Sequence, residues 1–135
     1  VKAALIEASA ASAEAWRIIH GIARMGPDFD QRSLPSEAGL DDTIDTTKGC
    51  FLGQESVARI ANLGHPPRVL RHVRCVAPFV PGAQVFAGGD AVGEVTSAAP
   101  LGDACVGLVR IAWPAVGAHL TDAGGHPFDD ASGVG

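Results

Sequence analysis

The sequence predicts an α+β chain, in which helices and a long polar loop are followed by a small antiparallel β-barrel of Greek-key-like form. Three observations carry that expectation. Helical spacing is confined to the part before residue 65. After Pro67 the chain becomes short apolar stretches punctuated by glycine. A Gly88-Gly89-Asp90 turn separates two of those stretches.

Residues 13–24 place Trp16, Ile19, Ile22 and Ala23, with Ile18 beside them, at helical spacing, while Arg17, His20 and Arg24 fall on the other side. Ser12 is the expected N-cap, and Gly26-Pro27 the expected stop, because proline has no N–H for the ladder and restricts the residue before it. Residues 28–47 are polar and carry Pro35, Gly39 and the acids Asp41, Asp42 and Asp45, which reads as a loop with short helical turns at most. A second helix is expected over residues 54–62, with Val57, Ile60 and Ala61 on one face and Glu55 four residues before Arg59.

Beyond Pro66-Pro67 the expected strands are residues 69–76, 84–87, 91–97, 104–111 and a brief one at 118–121. Glycine supplies the positive φ that a hairpin at Gly88-Gly89 requires. A handful of short antiparallel strands cannot leave both edges bare, so closure into a barrel is preferred to an open sheet. The expected organisation is therefore residues 1–66 as the end of a larger domain, 67–123 as the barrel, and 124–135 as a mobile tail with little to bury.

At 135 residues with 47% apolar content, the chain suits one compact domain or a small domain with part of another. Its apolar runs fall short of the roughly 20 residues that cross a bilayer, and the expected compartment is the cytoplasm. Ten basic against fifteen acidic residues give a formal charge of −5, which argues against a broad nucleic-acid footprint. Arg68, Arg71 and Arg74 with His65 and His72 could still make a local basic strip. Three scattered cysteines, Cys50, Cys75 and Cys105, suggest neither a disulfide framework nor a zinc site, and no metal is expected. Cys75 and Cys105 read as small buried hydrophobes, and Trp16 and Trp113 as core anchors.

The stretch richest in chemistry is Lys48, Gly49, Cys50, Phe51, Leu52, Gly53, Gln54 and Glu55. Cys50 precedes the expected second helix, whose first amides carry partial positive charge, and Lys48 adds an ammonium nearby; both favour a thiolate. The same residues admit a plain structural reading. A free cysteine is often buried, Gly49 and Gly53 serve a turn, and Glu55 with Arg59 makes a surface pair worth well under about 1 kcal/mol.

The run 48–55 resembles the K-G-C-[YF]-x-G-Q-E signature of the YgfZ family, a branch of the glycine-cleavage T-protein (aminomethyltransferase) superfamily, and Arg59 falls where that family also carries arginine. Arg17 and Gly21, the run Leu34-Pro35-Ser36-Glu37 (similar to the family's L-P-x-E), Arg68 to Leu70, and Gly93-Glu94-Val95-Thr96-Ser97 (similar to its G-x-V-T-S strand) agree with it. The likeness runs from about residue 14 to 120. Phe51 stands where tyrosine is frequent, so no role for a phenolic hydroxyl carries over.

The resemblance implies a tetrahydrofolate-dependent accessory protein for assembly or repair of iron-sulfur clusters, with effects on tRNA-modifying enzymes that contain them. Its partners would be folate and the iron-sulfur machinery or its client enzymes, with the folate site mainly in a region preceding Val1 and Cys50 as the candidate working thiol. The alternative within the superfamily is an aminomethyltransferase that moves a one-carbon unit to tetrahydrofolate.

Overall fold

The computed structural model describes residues 9–33, 37 and 64–131. One helix, α1 (Ala10–Ile19), precedes six strands: β1 (Arg68–Cys75), β2 (Gln84–Ala87), β3 (Asp90–Leu101), β4 (Ala104–Ala112), β5 (Leu120–Thr121) and β6 (Pro127–Asp130). The second helix expected over 54–62 lies outside the described residues. No described helix is long and apolar enough to cross a membrane.

The strands close into an antiparallel barrel in the order β1-β4-β3-β2-β5-β6. Strands β2, β3 and β4 follow one another as hairpins, and β1 lies beside β4, which is the Greek-key arrangement the sequence led us to expect. The expected hairpin at Gly88-Gly89 forms between β2 and β3. Residues 124–131 differ from expectation. Far from being a loose tail, they supply β6, which pairs with both β5 and β1, and Phe128 and Ala131 are buried. The only apolar side chain in this acidic, glycine-rich stretch that enters the barrel interior is Phe128, too weak a pattern to read as a strand before its neighbours are known.

The barrel interior is filled by Val73, Cys75, Phe79, Val85, Val95, Val109, Ile111, Ala115, Leu120 and Phe128, with the Phe79 and Phe128 rings meeting edge to face at 5.1 Å. A second cluster lies outside the wall. Ala15 and Ile18 of α1 pack on Ala99, Val106 and Leu108, flanked by Ile19, Leu70 and Leu101. Strand β4 is thus covered on both faces, and its nearly continuous apolar sequence Ala-Cys-Val-Gly-Leu-Val reflects that double burial.

The helix departs from expectation in both position and face. Ser9, not Ser12, is the N-cap, its side chain accepting from the Ser12 amide at 3.1 Å. The helix ends at Gly21 (φ 66°) rather than at Gly26-Pro27, because the Gly21 amide bonds the Ile18 carbonyl and the Ile22 amide the Arg17 carbonyl, a paired C-terminal closure that needs the left-handed residue. Burial follows Ala15 and Ile18, so Trp16 is 57% exposed and stacks on His20 at 4.2 Å instead of anchoring the core.

Candidate functional site

The described helix–loop segment meets the barrel through a polar junction centred on Asp28. A tight loop after α1, in which the Asp28 amide bonds the Arg24 carbonyl and the Gly26 amide the Phe29 carbonyl, turns the Asp28 side chain inward, where it is 1% exposed. Its carboxylate accepts four hydrogen bonds: from Thr96 Oγ1 at 2.5 Å and Ser97 Oγ at 2.6 Å on Oδ1, and from the Arg24 amide at 2.9 Å and Arg17 Nη1 at 2.7 Å on Oδ2.

Neighbouring strand residues ordinarily point to opposite faces, so two adjacent hydroxyls on one carboxylate need an explanation. The β3–β4 register shifts between Val95 and Ser97, a bulge that turns Thr96 and Ser97 toward the same loop. Gly93, two residues before Val95 in the same strand, passes so close to the Arg110 carbonyl that a Cβ there would collide with it. The G-E-V-T-S stretch is therefore built as a close strand crossing followed by a hydroxyl pair.

Arg17 closes the network. Its Nε and Nη2 bond the Glu14 carboxylate at 3.0 and 2.5 Å, Nη1 bonds Asp28 and the Ile22 carbonyl, the latter at 2.5 Å, and Nη2 bonds Ser97 Oγ at 2.7 Å. All five guanidinium donors are used. Expected on the solvent side of the helix, Arg17 keeps only 13% of its side chain exposed.

Burial alone would raise the Asp28 pKa, but Ser97, Thr96, the Arg24 amide and Arg17 outweigh it and hold the carboxyl below its usual range. The Arg17 bonds likewise lower Glu14. A carboxylate held ionised with four donors is a lock between segments and a poor proton acceptor. The cleft beside it, bordered by Glu14, Arg24, Pro27, Pro81 and Ser97, is open to solvent.

A second set of contacts brackets the signature segment. Glu37, 3% exposed, pairs with Arg68 Nε at 3.0 Å, so an acid that precedes that segment in sequence and the first residue of β1 after it are held together across 31 positions. The imidazole of His65 stacks parallel on Trp113 at 4.5 Å, and the Trp113 amide bonds the Pro67 carbonyl at 2.9 Å.

The expected site residues Lys48, Gly49, Cys50, Phe51, Gly53, Gln54, Glu55 and Arg59 lie outside the described residues, and none of them is placed relative to the junction. In sequence, Asp28 is one acid of a polar loop and carries no mark of its role; the Gly26-Pro27 turn before it and the adjacent hydroxyls of Thr96 and Ser97 are the signals the sequence offers. Cys75 is buried and Cys105 half-buried, opposite one another in β1 and β4. The basic strip does not form. Arg68 pairs with Glu37, Arg71 shares the inward face with Val69 and Val73, the His72 ring abuts Gly21 beside α1, and Arg74 lies 3.8 Å from Asp103.

No protein-family model matches the chain. It is 33% identical over 103 residues to an aminomethyltransferase of Streptomyces avermitilis, covering 73% of this chain and 28% of that protein. An aminomethyltransferase of Streptomyces coelicolor gives the same identity and coverage. A putative chloroplastic transferase of Arabidopsis thaliana is 38% identical over 61 residues, which are 45% of this chain and 14% of that protein. Among solved structures, the glycine cleavage system aminomethyltransferase T from Bartonella henselae superposes with a TM-score of 0.73 at 20% identity, over 87% of this chain and 36% of that one. The chain is homologous to the aminomethyltransferase superfamily and shares this fold, and it spans 28% of the length of the Streptomyces relatives.

Proposed function

We propose that this chain is part of a YgfZ-type, tetrahydrofolate-dependent accessory protein that supports assembly or repair of iron-sulfur clusters, acting in the cytoplasm on iron-sulfur enzymes that include tRNA-modifying ones. The observation that carries the reading is the eight-residue run from Lys48 to Glu55 set within a homologue of the aminomethyltransferases. In this reading Cys50 is the thiol that meets the cluster, a folate-borne group or a partner protein. Gly49 and Gly53 allow close approach, and Lys48 favours the thiolate. The junction at Asp28 and the Glu37–Arg68 pair support it by fixing to the barrel described residues that precede and follow that run in sequence.

The described residues do not fit a folate pocket. Every buried polar side-chain atom at the junction is bonded to another, and among the described residues the one buried side-chain nitrogen or oxygen left without a partner is His72 Nδ1. Tetrahydrofolate binding is therefore assigned to other residues of the protein.

The test is complementation in cells lacking the protein. Cys50→Ser should leave the folded protein at normal abundance while rescue of iron-sulfur enzyme activity is lost; full rescue by the variant rejects the role. A second reading, transfer of a one-carbon unit to tetrahydrofolate, is favoured by the names of the two Streptomyces relatives. Turnover with an aminomethyl-loaded lipoyl carrier by the full-length protein would establish it in place of the first.

A further inference from the structure

Two of the three cysteines, far apart in sequence, are brought together by the barrel. Cys75 is the last residue of β1 and Cys105 the second of β4, and the antiparallel register sets them directly opposite one another. Opposed residues share a face of the sheet, and here it is the inner one. Cys75 belongs to the barrel interior at 1% exposure, and Cys105 packs against the same cluster while keeping some contact with solvent. Both are free thiols.

The sheet fixes the spacing of such a pair. Directly opposed Cα atoms stand about 4.5 or 5.5 Å apart, according to whether the two residues exchange backbone hydrogen bonds. Either separation lies within the roughly 4.4–6.8 Å that a disulfide spans. The Cβ atoms, about 4.5–5.5 Å apart in an opposed pair, must close by up to about 1 Å. The strand ends leave room for that movement. Pairing of β6 with β1 takes in Val73 and Arg74 and stops short of Cys75, after which the chain leaves the sheet for residues 76–83. The turn between β3 and β4 lies just before Cys105. The Cys105 thiol donates to the Phe79 carbonyl at 3.7 Å, a weak bond that the sulfur can give up at small cost.

We propose that Cys75 and Cys105 form a reversible cross-strand disulfide, made by exchange with a low-molecular-weight disulfide such as that of glutathione. The Cys105 thiolate attacks one sulfur of the small disulfide, forming a mixed disulfide and expelling one thiolate. The Cys75 thiolate then attacks the Cys105 sulfur from within the barrel, forming the protein disulfide and expelling the second thiolate. The two cysteine protons end on the two small thiols, and two electrons pass from the cysteines to the small disulfide. The order follows from exposure, since a disulfide arriving from solvent meets Cys105 and not the buried Cys75. The proposal goes beyond the function argued above and does not depend on Cys50.

The test is oxidation of the native full-length protein with glutathione disulfide, followed by alkylation of the remaining thiols and cleavage after glutamate. Glu94 is the one glutamate between the two cysteines, and Glu55 separates both from Cys50, so the three thiols fall on different fragments. The Cys75 and Cys105 fragments should appear as one species, two hydrogens short of their summed mass, that separates on reduction. Cys75→Ser should instead trap glutathione on Cys105, and Cys105→Ser should leave Cys75 unmodified. Separate fragments after oxidation of the native protein, a link to the Cys50 fragment in place of this one, or a link formed only in urea overturns the assignment. Failure of folded Cys75→Ser to trap glutathione overturns it equally, and the wild-type fragments decide the matter if a variant does not fold.

Discussion

Ser97 Oγ lies 2.6 Å from Asp28 Oδ1, joining a strand of the barrel to the loop after α1 across 69 positions. The same hydroxyl accepts from Arg17, so one serine ties together the helix, the loop and the sheet. Because Asp28 is buried and ionised, the junction is sensitive to any change that removes one partner and strands the rest.

Asp28→Asn replaces an anion by an amide facing a guanidinium and two hydroxyls. A loss of about 2–3 kcal/mol is expected, since breaking a buried charged pair leaves its partner uncompensated. Urea denaturation of wild type and variant measures it, and a change under about 0.5 kcal/mol, the range of an ordinary surface substitution, would remove Asp28 from its central place.

Acid should weaken the protein in two stages. His72 has its pKa lowered chiefly by burial; Asp130 pulls the other way, and Arg71 adds a smaller lowering. The unfolded chain therefore binds a proton more readily than the folded one, and this part of the stability, present above the ordinary value of 6.5, is lost as pH falls below it. Asp28 and Glu14, both lowered, contribute stability that is present above the ordinary carboxyl range and lost as pH falls through their folded values. Thermal melts across pH 8 to 5 should show the first decline in wild type and a flatter profile in His72→Phe, which keeps a ring without the titration.

Gly21→Ala should be costly for two reasons acting at one atom. The residue sits at φ 66°, where a side chain is disfavoured, and its Cβ would strike the His72 ring. A destabilisation of about 1–3 kcal/mol is expected. Combining it with His72→Ala should restore the part due to the collision and leave the backbone part, which a double-mutant cycle on denaturation midpoints would separate.

The Glu37–Arg68 pair joins a buried carboxylate to a half-exposed arginine. Solvent on the arginine side limits its value, so a cycle of Glu37→Ala and Arg68→Ala is expected to give a coupling of about 1 kcal/mol. In the reading offered for Cys50, either single variant should reduce rescue of iron-sulfur enzymes more than it reduces thermal stability. Parallel losses in both would make the pair a stability element alone.

The apolar rhythm after Pro67 and the glycines between strands determined the barrel by themselves, because alternation and turn chemistry are local properties. Residues 84–87 were placed to the residue, and β1 and β4 to within one. The run at residues 48–55 was legible for the same reason, as identities at fixed spacing. Tertiary structure decided what depends on distant partners. Which face of α1 is buried follows from the shape of Ala99, Val106 and Leu108, and so Trp16, the most hydrophobic-looking residue of the helix, was left outside. The six residues from Gly125 to Asp130 became the closing turn and strand because β1 and β5 had edges to fill. Asp28 acquired its role from a bulge in β3, since no local pattern announces that two adjacent hydroxyls will turn to the same side and meet a carboxylate so far away in the chain.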